Sequence, residues 1–182
     1  MSPIYSKTGD EGLTGLLGEG RVQKFDLRIE ALGAIDEASA ALGLVRSNTR
    51  LVETNQITLQ IQKDLYQLMT EVGATPENSK KFRTIGDGQV KWLENETDWI
   101  TRKVEIPHEF ILSGESSVGA LVGMARTIIR RAERRVVELY YAGGLDNPAL
   151  LAYLNRLSSL CFVLELFENQ QAGKSTRMAK QK

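Results

Sequence analysis

The chain has 182 residues, 42% hydrophobic and 25% charged, enough for one domain with a sizeable core. Lys plus Arg total 23 and Asp plus Glu total 23, so the formal net charge is zero. That balance argues against non-specific nucleic-acid binding, which needs a basic excess, and aromatics at 7% are too few for a base-stacking platform. No apolar run approaches about 20 residues, so no membrane span is expected. The start, Met1-Ser-Pro-Ile-Tyr5, has no signal or transit character. One cysteine, Cys161, allows no internal disulfide and suits a reducing, cytoplasmic location. With His108 the sole histidine, neither a His/Cys metal cage nor a histidine-based triad can be assembled.

Residues 1–23 come first and differ in kind from the rest. Between Gly9 and Gly20 lie five glycines in twelve residues, followed by Arg21 and Lys24. Glycine lets backbone amides approach a ligand or form an anion nest. The segment lacks Gly-Lys-Ser/Thr, so it is no Walker loop, and it does not read as a dinucleotide fingerprint. A flexible arm is the competing reading of the same composition.

Prolines at 3, 76, 107 and 148 divide the chain into long proline-free stretches of helical period. The first helix is predicted over 24–46, with Ala31, Ile35, Ala38, Leu42 and Val45 as its apolar seam. The second covers 55–74, with Ile61, Leu65, Leu68 and Val72, and stops at Pro76. The third covers 87–105, with Val90, Leu93, Thr97, Ile100 and Val104, and stops at Pro107. The fourth covers 116–141 and ends at Gly143-Gly144, a C-cap signal. The fifth starts after Asp146-Asn147-Pro148, a cap followed by proline, with Leu150, Leu154, Leu157, Cys161 and Leu164. No strand of convincing length is visible. An all-α, up-and-down five-helix bundle over 24–169 is therefore expected, with a polar, disordered tail over 170–182.

The fourth helix carries the densest charge. Residues 126–135 hold five arginines and one glutamate. Ala125, Ile129, Ala132, Val136 and Leu139 form a buried seam, and Arg126, Arg130 and Arg134 step by four along its flank. Guanidinium forks match phosphate oxygens in pairs, so the row suits a polyanion; a solvated basic face is the plainer alternative. Glu133 can pair with Arg130, three residues before it.

Several segments together resemble one family. They are Tyr5-Ser-Lys-Thr-Gly-Asp-Glu-Gly12, Gly20-Arg-Val-Gln-Lys24, Ala34-Ile-Asp-Glu-Ala38 with Ala41-Leu-Gly43, Phe110-Ile-Leu112, the run from Ala125 to Arg135, and Leu154-Asn-Arg-Leu-Ser158. Their order and spacing resemble the PduO-type ATP:cob(I)alamin adenosyltransferases over residues 4–168. The resemblance implies homotrimers with active sites between subunits. It also implies transfer of the 5′-deoxyadenosyl group of ATP, with Mg²⁺, to the cobalt of cob(I)alamin. A reductase and an adenosylcobalamin-dependent enzyme are the implied partners.

Carried over by motif, Ser6, Lys7, Thr8, Gly9, Thr14 and Gly15 would cradle ATP, with Lys24 on the phosphates. Arg130, Arg131, Glu133 and Arg134 would face the nucleotide across the subunit boundary, Arg130 as principal stabiliser of the leaving triphosphate. Asn155 would hydrogen-bond the nucleotide. Arg126 would pair with Asp36 of a neighbouring subunit, and Phe110 would lie against the lower corrin face and exclude the axial ligand.

The chain departs from the family pattern at three places. Ser113-Gly-Glu-Ser-Ser117 stands where proline and glycines are usual, Gly123 where histidine is common, and Ser159 where aspartate is common. A trimeric ATP- or corrinoid-binding carrier and a purely structural helical oligomer are the competing readings. For residues considered singly, Cys161 reads as core and His108 as an exposed loop residue.

Overall fold

A computed structural model of the chain describes residues 4–5 and 7–180. The expected nucleotide contact Ser6 lies outside the described residues. The described chain is predominantly helical. Its order is β1 (Leu13–Gly15), β2 (Arg21–Gln23), α1 (Leu27–Asn48), α2 (Val52–Val72), α3 (Pro76–Ser79), α4 (Asp87–Thr101), β3 (Ile111–Leu112), α5 (Ser117–Tyr141), α6 (Pro148–Gln171) and β4 (Arg177–Met178). A single 3₁₀ turn, Lys80–Phe82, follows α3.

Several helix boundaries differ from the sequence expectation. The first helix starts at Leu27, not 24, because the Asp26 carboxylate caps it, accepting from the Arg28 N–H at 2.9 Å. Lys24 therefore belongs to the loop, not the helix. The second helix begins three residues earlier than expected, at Val52, and Gly73 caps its end. Pro76 does not stop that helix; it opens α3 at the first helical position, where its missing N–H costs nothing. The third expected helix, α4, ends at Thr101.

The other ends follow their sequence signals. Ser116 caps α5, its hydroxyl accepting from the Gly119 N–H at 3.0 Å. Gly143 turns the chain out of α5 at φ +79°, and the Gly144 N–H reaches back to the Leu139 carbonyl at 2.9 Å. Asn147 caps α6 ahead of Pro148.

Every expected seam residue of α1, α2 and α6 is fully buried, as are Ala125, Ile129, Ala132 and Val136 of α5. Only α4 falls short: Leu93 and Ile100 are buried, but Val90 and Thr97 are half exposed. The helices pack in the order α2, α1, α5, α6, α4. The last helix, α6, lies between α5 and α4 and is buried almost all round, which gives it the length and apolarity of a membrane span. Two-thirds of its most apolar window is inside the fold, so α6 is a core helix.

Charged groups are buried where they tie helices together. The Arg28 guanidinium, 5% exposed, donates to the carbonyls of Val72 and Gly144, both at 2.6 Å, joining α1 to the end of α2 and to the α5–α6 turn. Asp64 accepts from the Tyr153 hydroxyl at 2.9 Å and from Gln60 at 2.8 Å. Glu71 accepts from Asn147 at 3.0 Å and lies 3.4 Å from the Arg83 guanidinium.

As far as residue 180, the tail is not the disordered segment expected. Helix α6 continues to Gln171, and β4 pairs antiparallel with β3, Ile111 opposite Met178 and Leu112 opposite Arg177. The pairing joins residues far apart in sequence, which local periodicity cannot reveal.

Candidate active site

The glycine-rich segment folds into a hairpin. β1 and β2 pair antiparallel with Thr14 opposite Val22, and the reversal places Gly18 at φ +146° and Gly20 at φ +100°. Gly18 is required for a second reason. A Cβ there would meet Thr75 and Asn78 side-chain atoms at 2.7 Å, because the hairpin tip docks against the α2–α3 junction. Leu17 fixes that docking, donating its N–H to the Gly73 carbonyl at 2.8 Å and accepting from the Thr75 N–H at 3.3 Å.

An open pocket of about 440 Å³ sits on the hairpin, lined by Thr8, Gly9, Leu13, Thr14, Gly15, Arg21 and Lys24. Five expected nucleotide contacts thus converge. The Lys24 ammonium lies 3.1 Å from where a Gly9 Cβ would stand, so glycine opens the space that the lysine occupies. The pocket lining holds two cations and no carboxylate, a composition that suits an anion. Lys7 lies just outside the lining, exposed, at φ +58°.

Arg21 lines the pocket and was not among the expected contacts. Its guanidinium donates to the Leu13 carbonyl at 3.0 Å and to the Thr8 carbonyl, closing the loop on itself. In the sequence Arg21 stands within the Gly20-Arg-Val-Gln-Lys24 segment, but nothing local assigns it a contact of its own.

The second cluster lies on α5. Arg130 is half exposed and 3.7 Å from Glu133, the expected pair. The other Glu133 oxygen accepts from Asn155 of α6 at 2.9 Å. The chain of contacts continues from Asn155 to Arg156 at 3.1 Å and from Arg156 to Glu94 of α4 at 3.2 Å. Hydrogen bonds from Arg156 and Lys91 hold the Glu94 carboxyl below the usual range. Asn155 is exposed, so it is not a core bridge. Arg134 is exposed and makes no ion pair among the described residues.

Arg126 and Arg130 also line an open pocket of about 390 Å³, with Thr97, Thr101, Ile106, Ser158, Ser159, Phe162 and Val163. It combines two guanidiniums with an apolar floor. Ser158 closes the Leu154–Ser158 motif and Ser159 stands where aspartate is common in the family; Phe162 was not singled out from sequence, because it looks like an ordinary position on α6.

Two expected placements look different within one chain. Arg131 is engaged by Glu37 of α1 in an ion pair. Asp36 is exposed and makes no ion pair among the described residues, and neither does Arg126, so the expected Asp36–Arg126 pair does not form within the chain. The hairpin pocket and the α5 pocket share no lining residue.

Phe110 is 88% exposed, a bare aromatic ring on the surface rather than a core residue. Its segment is well anchored nonetheless. The Phe110 carbonyl accepts from the Ala179 N–H at 2.8 Å, and Arg177 lies 3.1 Å from Glu115. The Ser116 hydroxyl donates to Asn169 of α6 at 2.7 Å.

The family profile described as cobalamin adenosyltransferase matches residues 4–168, nearly the whole chain and both pockets. The chain belongs to this family. It is 36% identical to the corrinoid adenosyltransferase PduO of Salmonella typhimurium over 93% of its own length, but spans only half of that relative. It is 36% identical to the corrinoid adenosyltransferase of Bacillus subtilis, covering 93% of this chain and 88% of the other. Against the cobalamin adenosyltransferase of Cupriavidus metallidurans the identity is 39%, with 96% and 92% covered. Among solved structures, a variant PduO-type ATP:corrinoid adenosyltransferase from Lactobacillus reuteri, complexed with cobalamin and ATP, superposes with a TM-score of 0.89 at 28% identity, over 98% of this chain and 97% of that one.

Proposed function

We propose that this adenosyltransferase moves the 5′-deoxyadenosyl group of ATP to the cobalt of reduced cobalamin. The observation that carries the reading is the pairing of an acid-free hairpin pocket holding Lys24 with a guanidinium-lined pocket on α5. The cobalt(I) electron pair attacks C5′ and becomes the Co–C bond, the C5′–O bond breaks, and triphosphate leaves with the pair of that broken bond. Cobalt(I) is already a powerful nucleophile, so the protein needs no activated serine or general base. Its work is to orient C5′ and to stabilise charge on the leaving group.

In this reading Thr8, Gly9, Thr14 and Gly15 cradle ATP, Lys24 supplies a point charge to the phosphates, and Arg130 takes the charge developing on the triphosphate. Glu133 and Asn155 hold Arg130 at the edge of the pocket. Among the described residues no group of three or more His, Cys, Asp or Glu side chains could hold a metal. Mg²⁺ would therefore arrive on the triphosphate of ATP, the usual mode for that ion.

We further propose that five long helices form the subunit and that three subunits assemble, so that the hairpin of one meets the α5 face of the next. Asp36 and Arg126, both without an ion pair in the single chain, would then pair across the boundary. Exposed Phe110 would lie against the lower face of the corrin and exclude the axial ligand. A cytoplasmic setting, with a reductase supplying electrons and an adenosylcobalamin-dependent enzyme taking the product, fits this chemistry.

The test is anaerobic: protein, ATP, Mg²⁺ and chemically reduced cobalamin, followed by loss of the cob(I)alamin absorbance. A light-sensitive alkylcobalamin product that requires the protein supports the reading. ATP binding without product would instead favour a carrier.

A further inference from the structure

Two glycines of α5, Gly119 and Gly123, stand one turn apart opposite two buried polar residues of α6, Asn169 and Glu165, also one turn apart. The fit is close. A Cβ on Gly119 would meet the Asn169 side-chain oxygen at 2.2 Å, and one on Gly123 would meet Ser113 Oγ at 2.5 Å and Glu165 Oε2 at 2.9 Å. Asn169 is accounted for, since it accepts from Ser116 at 2.7 Å. Glu165 is not. It is fully buried, and its carboxylate has no engagement beyond the nearby Ser113 hydroxyl. Such a group costs free energy unless something engages it.

A complementary orphan lies about one turn along α5 from Gly123. Arg126 Nε is buried and has no acceptor. Burial pushes the Glu165 carboxyl up from its ordinary value, while Ser113 and the Arg126 charge pull it back. Both groups also act on the Cys161 thiol, which burial raises to about 12. Gly123 thus brings Ser113 and Glu165 together about one turn of α5 from Arg126, whose charge acts on the carboxylate.

We propose that Glu165 is a positioning residue that engages Arg126 through its Nε edge and Ser113 through its hydroxyl, leaving the terminal guanidinium nitrogens of Arg126 to face the pocket. Gly123 is the slot that admits the carboxylate. This device couples the orientation of Arg126 to the segment that presents Phe110, three residues before Ser113. It accounts for two departures from the family pattern at once: the 113–117 loop and Gly123 are matched to a glutamate on the facing helix. The role in catalysis rests on the adenosyltransferase reading; the contact itself does not.

The experiment has two readouts on the full-length protein. In ¹⁵N-arginine NMR spectra without ligand, the Arg126 Nε–H signal, identified by its loss in Arg126→Lys, should be protected from solvent exchange. In Glu165→Gln, which keeps volume and an acceptor oxygen, and in Glu165→Ala, the signal should shift and exchange about tenfold faster or more, as expected for loss of a charge-assisted bond. In steady-state assays Glu165→Gln and Gly123→Ala should raise KM for the corrinoid about tenfold and leave KM for ATP within about twofold, the pattern of a displaced positioning group. Simple loss of folded protein would lower kcat and move neither KM.

An Arg126 signal unchanged in both Glu165 variants overturns the proposal. So does an unchanged corrinoid KM in an active Glu165→Gln enzyme. If the wild type makes no adenosylated corrinoid while the Nε–H signal still depends on Glu165, the functional reading has failed and the contact has not.

Discussion

The hairpin pocket and the α5 pocket reach cationic character by opposite routes. The hairpin is built from backbone: glycines at positive φ, an arginine satisfied by its own loop carbonyls, and one lysine projecting into space that a glycine leaves open. The α5 face is built from side chains on a rigid helix, with Glu133 holding Arg130 and Glu37 holding Arg131. A backbone cradle binds whatever phosphate fits it. A side-chain row held by packed helices places one charge at one point, which is what a departing leaving group needs. On the proposed function, the hairpin would be the ground-state binder and α5 the transition-state element.

Substitutions can break that contrast. Arg130→Ala should lower kcat by about 10²- to 10³-fold, the usual loss for one preorganised donor, with KM for ATP changed by less than about threefold. A variant that instead raised KM for ATP at unchanged kcat would move Arg130 into the ground-state binding set. Lys24→Ala should do the reverse, raising KM for ATP about tenfold as a ground-state phosphate contact is lost, with kcat reduced less; isothermal titration with ATP checks the binding part directly.

Gly18→Ala touches neither pocket lining. Its Cβ would collide with Thr75 and Asn78, and its φ is unfavourable for alanine. We expect about 1–3 kcal/mol of lost stability, spread between strain and overpacking, and weaker ATP binding as the hairpin lifts from the α2–α3 junction. Denaturant melts would show it; no change in either would mean that the hairpin does not depend on that junction.

The smallest effect tests the frame that both regions share. Burial raises the Asp64 carboxyl despite hydrogen bonds from Gln60 and Tyr153. The folded state then holds its proton more tightly than the unfolded one. Its contribution to stability is full below the ordinary carboxylate range and is lost as pH rises through the raised folded value. Relative to Asp64→Asn, the wild type should gain stability as pH falls through the raised folded value towards the ordinary carboxylate range, by melting temperature; a gain in the opposite direction would contradict the burial argument.

Much of the frame was legible because burial imposes the 3.6-residue period: the seams of α1, α2, α5 and α6 emerge residue by residue. What escaped was either very short or non-local. The three-residue strands of the hairpin carry too few residues to alternate, α3 is one turn, and β3 meets β4 only through the tertiary fold. Glu165 and Asn169 are polar residues near the end of an apolar helix, and nothing in the local sequence marks them as buried. The candidate site residues were named through their joint resemblance to a family, not singly; Phe162 carries no local signature that separates it from core.

The central claim, that one site is completed by two chains, has a direct test in subunit mixing. Lys24→Ala and Arg130→Ala subunits, each weakly active alone at ATP well below KM, are unfolded together, reassembled at equal ratio and assayed at that ATP level for adenosylated corrinoid. If the hairpin of one subunit meets the α5 face of the next in a closed trimer, about a quarter of the wild-type activity returns, one intact site in each mixed trimer. If activity stays at the mean of the two variants although mixed assemblies form, both halves of the site come from the same chain and the intersubunit arrangement is wrong.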